Sequence, residues 1–93
     1  MIKWKHVKKG AENNIAELYR TEKGCHLIEV SKVGDNVFTV RWFRGAILTI
    51  QETYIAENWF YARAMALRKI EEYIEEKAYY WRDIKSFFAN WEE

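Results

Sequence analysis

Between residues 25 and 54 the chain alternates apolar and polar positions with a period of two, which is the signature of strands half buried in a sheet. "CHLIEVSKV" places Ile28 and Val30 on one side, "NVFTVRWF" places Phe38, Val40 and Trp42, and "AILTIQETY" places Leu48 and Ile50. Glu29, Ser31, Thr39, Arg41, Thr49 and Gln51 fall on the opposite side, so one face of the predicted sheet is wet. The connections "EKG", "VGDN" and "RG" read as tight turns, because glycine supplies the positive φ that such turns need. Upstream, "IAELYRT" (15–21) reads as a fourth strand, although Ile15, Leu18 and Tyr19 also fit a helical face, and "IKWKHV" adds an edge strand through Trp4.

From about Thr53 the period changes. Trp59, Ala62, Ala66, Ile70, Tyr73, Lys77, Trp81, Ile84, Phe88 and Trp91 recur every three or four residues, and good helix formers fill "YARAMALRKIEEYIEEKA". Thr53 is the expected N-cap, with Ala56 rather than Glu at the capping-box position. The expectation is a single domain over 1–93, with a sheet over about 15–52 and a helical region over about 54–92. Its fold class is α+β: an antiparallel meander of three to four strands, then a long or broken C-terminal helix on one face. Trp59, Ala62, Ala66 and Ile70 are expected to meet Ile28, Val30, Phe38, Val40, Trp42, Leu48 and Ile50.

Strands of about eight residues give a sheet roughly 26 Å across. A continuous helix of about 37 residues would be roughly 55 Å long. The sheet therefore covers about half of that helix. The other half is the aromatic stretch "AYYWRDIKSFFANW", and burying a large apolar side chain is worth about 1.5 to 3 kcal/mol. Either the helix breaks near residues 76–80 and folds back, or it projects to a partner. Tyr79, Tyr80, Trp81, Phe87, Phe88 and Trp91 are accordingly the candidate partner-binding residues, of the kind that anchor protein interfaces.

Composition narrows the function classes. Fifteen Lys and Arg against fourteen Asp and Glu leave a formal charge of +1, so no whole-molecule charge argues for nucleic acid or an anionic membrane. The single cysteine, Cys25, cannot close an internal disulfide, and no apolar run approaches a spanning helix. These features predict a cytoplasmic protein without a membrane partner.

Candidate chemistry is sparse. His6, Cys25 and His26 are the residues of the metal- or nucleophile-forming kind, but a zinc site needs four ligands, and neighbours on a strand point to opposite faces. Glu71, Glu72, Glu75 and Glu76, flanked by Arg68, Lys69 and Lys77, read as a solvated helix face with local ion pairs. "RWFRG" interleaves Arg41, Phe43 and Arg44 beside a turn, the composition of a single-strand nucleic-acid platform. No phosphate-cradling glycine loop, HExxH or GxSxG is present. No catalytic residue, metal or cofactor is expected.

The order of Trp4 to Val7 with Gly10, then Tyr19, Thr21 and Gly24, then Gly34 with Phe38, Val40 and Trp42, then a helix with Ala62 and Ala66, resembles small phage and prophage proteins. These join an antiparallel sheet to a helix, and anti-CRISPR and other anti-defence inhibitors are similar in size and build. The resemblance covers residues 4 to 70 and carries over no functional residue. It implies a non-catalytic binding protein, homodimeric, that occupies a surface of a larger protein such as a host or defence nuclease. The alternative is a small nucleic-acid-binding protein using Arg41, Phe43 and Arg44.

Overall fold

The computed structural model describes residues 3–11 and 14–76. Five strands, β1 (Lys5–Ala11), β2 (Asn14–Lys23), β3 (His26–Gly34), β4 (Val37–Arg44) and β5 (Ile47–Ile55), precede one helix, α1 (Trp59–Glu76). The strands form one antiparallel sheet in the order β1-β2-β3-β4-β5, a meander in which each strand pairs with its sequence neighbour. The fold is therefore α+β as expected, with five strands instead of three to four. The strand beyond that count is β1, the edge strand read in "IKWKHV"; it starts after Trp4, and its "KHVKKGA" carries almost no apolar alternation and joins the sheet by backbone pairing with β2 (Val7 opposite Leu18).

Two-residue connections join β2 to β3, β3 to β4 and β4 to β5. Gly24 and Gly45 sit at φ 61° in the first and third, where an L side chain is strained. Asn36, at φ 57° in the second, is one of the few side-chain-bearing residues that visits this region readily.

The register sorts the side chains. On one face His6 stands opposite Tyr19, Tyr19 opposite Val30, and Val30 opposite Val40; Thr21, Ile28, Trp42 and Ile50 form the next row. Helix α1 lies over this face and buries Ala62, Ala66, Ile70 and Ile74 against Ile28, Val30, Phe38, Val40, Trp42, Ile50, Tyr54 and Ala56. Trp42, Phe38, Ile28, Ile70, Val30 and Val40 are the largest side chains wholly removed from water. At about 1.5 to 3 kcal/mol each, they supply the main force that keeps the helix on the sheet.

Two sequence expectations fail at β5. Leu48 was expected inside, yet it is exposed: the register slips between Trp42 and Phe43, so Leu48 stands opposite Phe43 on the face away from the helix. One extra residue at such a bulge is enough to reverse the side a chain presents. Thr53 is not an N-cap either. It lies inside β5, where its hydroxyl meets that of Thr39 at 2.9 Å, so the sheet runs on to Ile55 and the helix starts at Trp59, not near 54. The cap is Asn58, whose Oδ1 accepts the Tyr61 N–H at 3.0 Å. Such a cap is worth about 1 kcal/mol.

Aromatic contacts fix the helix in place. Trp59 meets the Phe38 ring edge-on at 5.0 Å and the Tyr19 ring at 4.8 Å, while Arg63 lies 4.2 Å from the Tyr19 ring centre. On the β5 side, the Tyr54 hydroxyl donates to the Ala62 carbonyl at 2.6 Å, and Lys69 pairs with Glu52 at 3.2 Å. The helix is thus held from both flanks.

Candidate functional site

The sequence points to four groups of residues, and the structure treats them differently. Tyr79, Tyr80, Trp81, Phe87, Phe88 and Trp91 lie outside the described residues, as does any break near residues 76–80.

Arg41, Phe43 and Arg44 are all on β4, but strand alternation divides them. Arg41 and Phe43 share the face without the helix, where Arg41 stands opposite Glu29 on one side and Gln51 on the other. Arg44 stands opposite His26 on the helix side. The trio therefore does not form one continuous platform.

His6, Cys25 and His26 are likewise dispersed into structural roles. The His6 ring stacks on Tyr19 at 4.5 Å, and its Nε2 lies 2.5 Å from Glu17 Oε2. The Nδ1 atom of His26 accepts the indole N–H of buried Trp42 at 3.2 Å, which requires a neutral ring with its proton on Nε2. Burial, with the Arg44 guanidinium opposite as the smaller cause, holds the His26 pKa below the usual imidazole range. Cys25 is an exposed free thiol in the turn before β3. Among the described residues no three His, Cys, Asp or Glu side chains come together as metal ligands.

Glu71, Glu72, Glu75 and Glu76 are exposed, and Glu72 pairs with Arg68 one turn back at 3.8 Å. That is the solvated face read from the sequence. Burial raises the Tyr54 pKa above its usual value, consistent with a phenol that keeps its proton to donate to Ala62. No described helix is long and apolar enough to cross a membrane.

What pattern reading missed is a set of exposed apolar side chains: Val33, Ile47, Leu48, Ile55, Phe60 and Tyr61. Val33 owes its exposure to a second register slip, between Lys32 and Gly34, which leaves it unpaired in the ladder. Ile47, Leu48 and Ile55 lie at the two ends of β5, an outermost strand of the described sheet. Phe60 and Tyr61 meet edge-on at 5.4 Å in the first turn of α1. Their signal was available: neither falls on the inward stripe of Ala62, Ala66, Ile70 and Ile74. Compared with family models, curated proteins and solved structures, the chain matches none.

Proposed function

We propose that this chain is a non-catalytic protein-binding module and, in its sharpest form, a phage-encoded inhibitor that covers a surface of a host or defence nuclease, as anti-CRISPR proteins do. The observation that carries the reading is apolar surface left in water on a small domain: Ile47, Ile55 and Phe60 are each more than 60% exposed. Large apolar side chains left in water are the kind of surface that a partner covers. The titratable side chains with chemical potential support the same reading, since His6 and His26 are occupied by Glu17, Tyr19 and Trp42. The aromatic residues from Tyr79 to Trp91 supply the anchors.

The test is capture of a target from the cell that carries the gene, followed by affinity measurement with Trp81→Ala and Trp91→Ala. A stoichiometric partner, with each variant weakening binding by about 2 kcal/mol, is expected. Absence of such a partner overturns the reading. So does tight oligonucleotide binding that falls steeply with salt and is lost in Arg41→Glu, because phosphate contact must weaken as salt rises.

A further inference from the structure

We propose that His26 is an acid-operated latch on the C-terminal end of α1: its neutral ring holds the Trp42 indole, and a proton on the accepting nitrogen lets the last turns of the helix leave the sheet while the earlier turns stay in place. This goes beyond target binding and does not depend on it.

The two ends of α1 are held by different means. At the first, Trp59 packs against Phe38 and Tyr19, and the Tyr54 hydroxyl donates to the Ala62 carbonyl, contacts that carry no imidazole acceptor. At the last, Ile74 is buried and the Tyr73 ring meets the Trp42 ring edge-on at 6.0 Å. Trp42 is therefore part of the floor on which this end rests. Its indole N–H donates to Nδ1 of His26 at 3.2 Å, and the two rings are near parallel with centres 5.9 Å apart.

That acceptor exists in one protonation state only. An imidazolium carries a proton on both nitrogens, so Nδ1 would turn a donor toward the indole donor. Trp42 is wholly buried, and losing this partner away from water costs more than losing it at the surface.

The new charge would also stand in a poor place. Lys23 on β2 and Arg44 on β4 flank His26 in one row on the helix side of the sheet, and like charges directly opposite each other on paired strands repel. β5 adds only uncharged Ile47 to that row. From α1, Tyr73 approaches through Trp42, while Glu71, Glu72, Glu75 and Glu76 are exposed and Glu72 is engaged by Arg68. Burial and the Arg44 guanidinium hold the ring below the usual imidazole range, so it stays neutral and the latch closed at neutral pH. Once the helix end lifts, the ring regains water and binds the proton more readily, so the open form gains as pH falls below that range.

The experiment is amide hydrogen exchange of the full chain by NMR from about pH 7.5 to about pH 5, with rates corrected for the intrinsic effect of pH, and with the His26 ring signals followed alongside. Protection of the Tyr73 and Ile74 amides is expected to fall severalfold as the His26 ring titrates, while that of Ala66 holds. The Trp42 indole N–H, identified by its absence in Trp42→Phe, should lose protection with them. In His26→Asn, whose Oδ1 accepts a hydrogen bond without titrating, these changes should disappear. Unchanged protection of Tyr73 and Ile74 across the range overturns the proposal, as does a uniform loss along α1. The same pH dependence in His26→Asn overturns it too; where that variant does not fold, a loss of protection that fails to follow the His26 ring titration in the natural chain does so.

Discussion

The two faces of the sheet are made by the same strands, yet they obey different rules. Under α1, neighbouring positions on adjacent strands are Val30 with Val40 and Ile28 with Trp42, all wholly buried. The polar atoms admitted there are satisfied: Trp42 donates to His26, Tyr54 to Ala62, and no described buried side-chain nitrogen or oxygen lacks a partner. On the other face, rows of different character lie side by side. Lys5, Arg20, Glu29, Arg41 and Gln51 form one across all five strands, while Leu27, Phe43 and Leu48 form another. Apolar content alone does not separate these faces. The helix does: the wholly buried strand side chains are gathered on its face, although Leu18 and Thr39 are buried on the other as well.

If that distinction is correct, substitutions should divide by face. The largest effect is expected from Trp42→Ala, which removes a fully buried indole and leaves the His26 Nδ1 without its donor. Chemical denaturation should show a loss of about 3 to 5 kcal/mol.

A smaller effect should come from acid, through His26 on the covered face. The His26 pKa is lowered in the folded state, so the unfolded chain binds the proton more readily. Its stabilising contribution is fully present above the unfolded imidazole pKa and is lost as pH falls through the lower folded value. Stability measured from pH 7.5 downward should fall in that window, and the slope should be shallower in His26→Gln. An identical slope in both would sever His26 from the acid response.

The smallest effect should come from the open face. Arg41→Ala removes an exposed side chain opposite Glu29 and Gln51, and its stability change should stay within about 0.5 kcal/mol. A loss of 2 kcal/mol or more would mean that this face, too, is a structural core.

The covered face was the more legible in sequence. β3 and β4 carry strict alternation of large apolar residues, and each inward residue predicted there is buried: Ile28, Val30, Phe38, Val40 and Trp42. Helix positions Ala62, Ala66 and Ile70 were likewise readable from their three-and-four spacing. β1 was harder, because an edge strand is recruited by hydrogen bonds to its neighbour and needs little apolar content. Leu48 was misplaced because a bulge leaves no mark in composition. The sheet-to-helix boundary was set too early because neither glycine nor proline marks it; the signal that mattered was Asn58, a residue whose short amide suits an N-cap. At the ends of β5, Leu48 was expected in the core, and the register places it on the face away from the helix.

Ala62 and Ala66 are wholly buried where α1 crosses the sheet, so two methyl groups set the gap between the layers. Such a gap tolerates no gradual change. Adding even a few carbons at either position must lift the whole helix off Val30 and Val40 rather than press into soft neighbours, since packed interiors yield little. Most outward-facing residues can vary without moving the layers, while these two small ones act as fixed spacers.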